Sequence, residues 1–307
     1  MIEVQNLSKA FGRKVVVDSV TFSVSPGVVT GFLGPNGAGK TTTLKMILGL
    51  TQPTSGTALV NGRKYAESLS PLGDVGALLE ARSIYGGFST RNYLRSLALT
   101  HRLGQRRVDE VIAMTGLESV ASKRVKTFSL GMWQRLGIAT AMLGNPHTLI
   151  LDEPANGLDV DGMIWMRGLL RSLADDGRTV FLSSHMMAEM AQTVDHLIVF
   201  GRGKVVADAP LATILQGSRK GAVRVSSRQI GELVERLNPA VVSIATIGPE
   251  TIEIIGMSAP EIAKIAAGSE IVLYEISTIP DSLEAAYLNL TSGSHEYRST
   301  PTESGRV

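Results

Sequence analysis

The stretch Gly34-Pro35-Asn36-Gly37-Ala38-Gly39-Lys40-Thr41 limits what this chain can fold into more than any other feature. It follows the apolar run Val28-Val29-Thr30-Gly31-Phe32-Leu33 and leads into Thr42-Thr43-Leu44-Lys45-Met46-Ile47-Leu48. A buried strand, a glycine-rich turn and a helix in that order form a phosphate-binding loop. The glycines let backbone N–H groups turn inward around an anion, in conformations that a Cβ hinders. The helix starting near Lys40 adds unpaired N–H groups and the positive end of its dipole at the same point. In such a loop Lys40 reaches the β- and γ-phosphates, and the Thr41 hydroxyl binds Mg²⁺. The motif by itself names no nucleotide chemistry.

Composition narrows the setting. A chain of 307 residues is long enough for a large core and a second domain. Hydrophobic residues at 44% make it globular rather than disordered. With 30 Lys+Arg against 28 Asp+Glu, the net charge of +2 supplies no bulk attraction to nucleic acid. The absence of cysteine excludes disulfides and thiolate metal sites. The opening Met1-Ile2-Glu3-Val4-Gln5-Asn6 lacks a charged-then-apolar signal pattern. No run approaches the roughly 18 to 20 apolar residues of a membrane helix. The expectation is a soluble, intracellular chain whose membrane work requires another polypeptide.

Before the loop, Ile2-Glu3-Val4, Val15-Val16-Val17 and Val20-Thr21-Phe22-Ser23-Val24 read as antiparallel strands separated by turns. Phe11 falls in the turn-like Lys9-Ala10-Phe11-Gly12, where an aromatic ring either stacks on a base or covers the loop. After the loop's helix, Gln52 to Gly56 is a turn and Thr57 to Gly62 a strand running into another turn. Val75-Gly76-Ala77-Leu78-Leu79 is a further strand ending on Glu80, a carboxylate placed either near a nucleotide or simply where the strand exits to solvent.

From about Thr90 to Leu143 the periodicity is helical and suggests an insertion between two halves of an α/β core. Within it Ser129 is a natural N-cap for the helix that follows, and a capped helix is the favoured reading of that segment on local grounds. Thr148-Leu149-Ile150-Leu151-Asp152-Glu153 is a buried parallel strand ending in two acids, at the end where α/β proteins place ligands. Asp152 there meets Mg²⁺, directly or through water, and Glu153 orients and polarises the attacking water. Thr179-Val180-Phe181-Leu182-Ser183-Ser184-His185 repeats the design, and a histidine at the end of a core strand beside a nucleotide site is placed to touch the γ-phosphate.

The ordered set of Phe11, Gly34 to Thr41, Glu80, Ser129-Leu130-Gly131-Met132, Leu151-Asp152-Glu153, Asn156-Gly157-Leu158-Asp159 and His185 resembles the ATP-binding subunit of ABC transporters over about two-thirds of the chain. The serine-glycine signature just upstream of the Asp-Glu strand is the discriminating element, since kinases, GTPases and helicases lack it. The resemblance implies that Phe11 stacks on adenine. Gly34, Pro35, Asn36, Gly37, Ala38, Gly39, Lys40, Thr41 and Thr42 would hold the phosphates of ATP. Thr41, Asp152 and Glu80 would face Mg²⁺, with Glu153 as general base and His185 on the γ-phosphate. Ser129 and Gly131 would serve the ATP of a second protomer, with Asp159 at the seam. The assembly implied is a homodimer or pseudo-dimer joined through its ATP sites.

Two departures stand out from the family's usual Leu-Ser-Gly-Gly-Gln signature and its usual glutamine after the strand that here runs from Val75 to Leu79. This chain has Phe128-Ser129-Leu130-Gly131-Met132, and Glu80 stands in place of the glutamine. Ser129 and Gly131 remain, so hydrolysis is expected to survive. Both variants resemble the branch that pairs with ABC-2-type export permeases, including drug and peptide-antibiotic exporters.

The fold expected is α/β. It comprises a P-loop NTPase core with an antiparallel β part and a helical subdomain, plus a small ferredoxin-like α+β domain at the C-terminus. The nucleotide-binding domain spans 1–215 with its helical subdomain at about 88–145. A turn-rich zone at Pro210 to Gly221 leads into an accessory domain at 220–291 and a disordered tail at 292–307. In the accessory domain strands are expected at 222–226, 241–247, 251–255 and 270–276, with helices at 229–237, 260–267 and 281–290. It shows no clustered His or Cys and no basic stripe, so a packing or dimer-bracing role is favoured over a ligand sensor.

The function expected is the ATP-hydrolysing motor of an ABC exporter, peripheral on the cytoplasmic face of the membrane, with a separate integral permease and no nucleic-acid partner. The alternative is a non-transporting ABC ATPase acting on ribosomes or nucleic acid, which usually carries two cassettes or a long coiled coil. A P-loop kinase or GTPase would need an acceptor lid or guanine-reading residues, and neither is evident.

Overall fold

A computed structural model describes residues 1–80, 86–216, 222–237, 243–279 and 283–291. The described residues divide into two compact units, one covering Met1–Leu211 and the other beginning at Ala212.

The first unit opens on a long hairpin, β1 (Ile2–Phe11) and β2 (Lys14–Val24). The sequence suggests three short strands here, Ile2 to Val4, Val15 to Val17 and Val20 to Val24; Asn6 and Ser19, both at φ +48°, lie outside them. They are instead irregularities within two continuous strands, whose pairing shifts register between Val4 and Ala10. After β3 (Val29–Leu33), α1 (Lys40–Ile47) and β4 (Ser55–Val60), the last strand joins the hairpin in a three-stranded antiparallel sheet ordered β2-β1-β4. The strand thus takes in Ser55 and Gly56, which the sequence assigns to a turn.

A short α2 (Pro71–Asp74) precedes β5 (Val75–Leu78), and then come α3 (Thr90–Thr100), α4 (Gln105–Met114) and α5 (Leu130–Met142). The remainder alternates: β6 (Thr148–Asp152), α6 (Val160–Asp175), β7 (Thr179–Ser184), α7 (Met187–Thr193), β8 (His196–Gly201) and β9 (Lys204–Pro210). These strands form a six-stranded sheet ordered β5-β6-β7-β3-β8-β9, parallel except for β9. Every residue of β3, β6 and β7 is buried, as a parallel sheet covered on both faces requires. Strand order reverses direction at β3, the switch point where open α/β sheets bind ligands.

The two sheets meet through Phe22, Phe32, Phe181 and Phe200, whose neighbouring ring centroids lie 4.8 to 5.9 Å apart in tilted pairs. Tilted rings at this spacing are favourable beyond the area they bury. They anchor β3 on both sides, and with it the start of the phosphate-binding loop.

Helix α8 (Leu211–Gln216) occupies part of the zone where the sequence suggests only turns. The second unit continues with β10 (Val223–Ser226), α9 (Ile230–Arg236), β11 (Ser243–Gly248), β12 (Thr251–Ile255), α10 (Ala259–Gly268), β13 (Glu275–Thr278) and α11 (Leu283–Thr291). Its four-stranded sheet is antiparallel throughout, in the order β11-β12-β10-β13. Val223, Val225, Ile252 and Ile254 fill its core with Leu233 of α9 and Ile262 of α10. The strand expected at 270–276 begins only at Glu275. Ile271 N–H instead bonds the Ala266 carbonyl at 2.9 Å to close α10. The tail expected at 292–307 lies outside the described residues.

Candidate nucleotide site

The site is built from chain ends that the parallel sheet brings together. At the end of β3 the loop turns through Gly34 and Gly39 into α1. A Cβ at Gly34 would lie 2.3 Å from the Phe200 carbonyl oxygen. At Gly39, with φ +109°, it would lie 2.7 Å from the Val16 oxygen. Glycine is required at both by close backbone approach, and at Gly39 also by its dihedral angle. Helix α1 starts at Lys40 directly after this left-handed residue, so its first N–H groups open towards the loop. Lys40 is buried, its Nζ donating to the carbonyls of Gly34 at 2.6 Å and Pro35 at 3.3 Å. The ammonium therefore lies within the ring of the loop, where phosphate oxygens would displace those carbonyls.

Opposite the loop stand the ends of β6 and β7. Thr41 Oγ1 donates to Asp152 Oδ2 at 2.6 Å, and the Ser183 hydroxyl donates to Asp152 Oδ1. Glu153, next along β6, places Oε1 3.5 Å from Lys40 Nζ and Oε2 2.8 Å from His185 Nδ1. Its backbone is left-handed at φ +50°, unusual for a glutamate and costly by about 1 to 3 kcal/mol. Four bonds hold that conformation. The Glu153 N–H donates to Ser183 Oγ at 3.1 Å and to the Ser183 carbonyl at 3.2 Å, while its own carbonyl accepts from Asn156 N–H at 3.2 Å and Gln134 Nε2 at 3.1 Å. Lys40, Thr41, Asp152, Glu153 and His185 thus form one connected cluster.

Phe11, Glu80, Ser129 and Gly131 are not joined to that cluster by these bonds. Phe11 ends β1 with its ring more than half exposed and the Lys9 ammonium 5.0 Å from its centroid. Glu80 is exposed just past β5, at the edge of a groove of about 380 Å³ with Tyr93, Gly137 and Thr140. The N-cap expected at Ser129 is present, its hydroxyl accepting from Met132 N–H at 3.3 Å. Gly131 lies where a Cβ would come 2.8 Å from the Gly157 carbonyl oxygen, and the Leu130 side chain rests against Gly157. Leu130 therefore packs the signature turn onto the Asn156–Asp159 turn, which Asp159 closes by accepting from Gly162 N–H at 2.8 Å as the cap of α6.

Three residues of the site carried no role in the sequence reading. Ser183 bridges Asp152 and Glu153, and its signal is a hydroxyl at the end of an otherwise apolar buried strand. Gln134 is 5% exposed inside a helix, a placement that polar side chains rarely take without a partner. Glu189, on α7, has a buried carboxylate oxygen with no hydrogen-bond partner. Burial pushes its carboxyl up from the usual range, and the nearby Glu153 charge pushes it in the same direction.

The cluster can hold a polyanion at the loop, present hard oxygen donors from Thr41 and Asp152, and offer Glu153 as a base oriented by His185. Among the described residues no group of three His, Cys, Asp or Glu side chains could bind a metal alone. A magnesium ion needs few protein ligands when phosphate oxygens complete its shell, so this donor set fits one arriving with a nucleotide.

Comparison with known proteins adds to this geometry. Residues 17–156 match the family model described as ABC transporter, and residues 221–284 match one described as a domain of unknown function. The bacitracin transport ATP-binding protein BcrA of Bacillus licheniformis is 40% identical over 223 residues, 72% of this chain and 73% of that one. The lantibiotic transport ATP-binding protein SrtF of Streptococcus pyogenes is 33% identical over 208 residues, 68% of this chain and 90% of that one. A solved ATP-binding subunit of an ABC transporter superposes with a TM-score of 0.64 at 29% identity, covering 70% of this chain and 92% of that one.

Proposed function

The chain belongs to the ABC transporter family as an ATP-binding, ATP-hydrolysing subunit, and from that premise we propose that it drives an exporter of peptide antibiotics or related drugs through a separate membrane-spanning permease. The relatives named above transport bacitracin and a lantibiotic, which is the support for the cargo class. Among the described residues no helix is long and apolar enough to cross a membrane, so the substrate path would lie in the permease and this chain would work peripherally on its cytoplasmic side.

The observation that carries the catalytic reading is the meeting of Glu153 with both Lys40 and His185 at the C-terminal edge of the parallel sheet. The loop from Gly34 to Thr42 holds the phosphates, with Lys40 on the β- and γ-oxygens and Phe11 stacked on the adenine. Thr41, Asp152 and Glu80 would hold Mg²⁺, and the ion would supply neutralisation of the phosphate charge. Glu153 takes a proton from water as the water oxygen attacks the γ-phosphorus. The bond to the β–γ bridging oxygen breaks, and ADP and phosphate result. His185 holds the Glu153 carboxylate at one oxygen and faces the γ-phosphate.

Ser129 and Gly131 stand apart from this cluster, which supports a role for them on the ATP of a second copy. In a head-to-tail dimer the N-terminus of α5 would point its free N–H groups at the partner's γ-phosphate. For the C-terminal unit, the β-α-β-β-α-β order with β10 between β12 and β13 supports a ferredoxin-like module that packs or braces the assembly.

The test is recovery of tagged Glu153→Gln protein from detergent-solubilised membranes of its own cells, with and without ATP. An ATP-dependent dimer recovered with a multi-span protein is the expected result. ATP-independent soluble complexes with ribosomes or nucleic acid would overturn the exporter reading.

A further inference from the structure

Helix α5 begins at the signature and, five residues after its Ser129 cap, carries Gln134 into the same chain's catalytic cluster. Gln134 is buried, and its Nε2 donates to the Glu153 carbonyl at 3.1 Å. That carbonyl belongs to a glutamate held in the left-handed region, where a small backbone rotation would swing the carboxylate away from both Lys40 and His185. The other bonds that fix this backbone come from Ser183 on β7 and from Asn156 in the following turn. Gln134 alone among these joins Glu153 to a different layer of the unit.

Helix α5 is itself held firmly one residue later. Arg135 Nη1 donates to the Thr115 carbonyl at 3.0 Å, and its guanidinium lies 4.2 Å from the ring centroid of Trp165. The Trp165 indole N–H donates to the Met114 carbonyl at 3.0 Å. The end of α4, helix α5 and helix α6 are thereby tied together beside Gln134, so the amide is presented from a rigid support.

We infer that Gln134 is a positioning residue for Glu153 of its own chain, holding the general base in its productive backbone conformation and linking it to the helix that carries Ser129 and Gly131. This rests on the assignment of Glu153 as the base. Both ends of the link belong to one chain, so a cluster's geometry depends on its own α5, while the signature that completes the site comes from the partner.

The test uses full-length Gln134→Met, which keeps length and volume but removes the donor. Its kcat for ATP falls about tenfold while KM and Tm stay near wild type, the size expected for one hydrogen bond made to the working conformation. Should Gln134→Met fail to fold, Gln134→Asn retains an amide that falls one methylene short and gives the same split.

Mixed dimers then separate the two arms of α5. Gln134→Met chains are paired with Glu153→Gln chains, so the only working base sits in the Gln134→Met chain and the signature facing it has an intact Gln134. The expected rate is about tenfold below that of wild type paired with Glu153→Gln. Equal rates in the two mixtures would place the effect on the signature side and overturn the inference. Wild-type kcat for the Gln134→Met homodimer would also overturn it, while leaving the Glu153 assignment intact. A Glu153→Gln homodimer with unchanged turnover would instead remove the premise.

Discussion

The six-stranded sheet of the first unit and the four-stranded sheet of the second are built from similar apolar residues yet differ in what their edges can do. In the six-stranded sheet β3, β6 and β7 run parallel, so their C-terminal ends open on one side and deliver Lys40, Asp152, Glu153, Ser183 and His185 to one place. In the four-stranded sheet of the second unit every neighbour is antiparallel, and strand ends of opposite sense alternate along each edge. Its charged pair, the half-exposed Arg224 with the buried Glu253 at 2.8 Å, lies mid-strand on paired residues of β10 and β12. Parallel pairing concentrates chemistry at an edge, whereas antiparallel pairing spends its polar residues within the sheet.

That contrast predicts that perturbing the first sheet's edge stops turnover, and that perturbing the second sheet costs stability alone. Lys40→Ala has the largest expected effect. It removes the cation from the loop and from Glu153, and ATP turnover should fall by about 10²- to 10³-fold in a steady-state assay. Ile254→Ala empties a fully buried position of the second unit's core. It should cost about 2 to 5 kcal/mol of that unit's stability by chemical denaturation, with kcat of the folded protein unchanged. A matching fall in kcat would break the comparison, because the second unit would then contribute to the site.

The smallest effect is expected at Glu189. Its folded pKa lies above the unfolded value of about 4.3, so the fold disfavours the ionised form. The stability linked to this carboxyl is complete below about pH 4 and is lost as pH rises through the folded pKa. Glu189→Gln cannot ionise, so it should raise Tm slightly at pH 8 and leave it unchanged at pH 4. A gain of equal size at both pH values would point to packing rather than charge.

Much of the first unit was legible because its signals are local. Gly34 to Thr41 needs a strand before it and a helix after it, and the acids of β6 follow an apolar run that only a buried strand explains. The Ser129 cap was likewise legible from residue type. What escaped depends on pairs distant in sequence. The β1–β2 hairpin reads as three shorter strands, because register shifts between Val4 and Ala10 interrupt the alternation that marks a continuous strand. Gln134 gave no sign of its reach to Glu153, since an isolated glutamine in a helix reads as a surface residue. Leu130 read as a departure from a motif, and only the packing against Gly157 accounts for it. In the second unit, 270–276 carried strand-like residues but lost the first of them to the closing turn of α10.

The role of Glu153 as the base of this ATP hydrolase can be measured directly. The direct measurement compares steady-state phosphate release by the wild-type chain and by Glu153→Gln, with bound nucleotide quantified in parallel. Glu153→Gln is expected to turn over at least about 100-fold more slowly while still binding ATP and retaining it uncleaved. Phosphate release at the wild-type rate would contradict it.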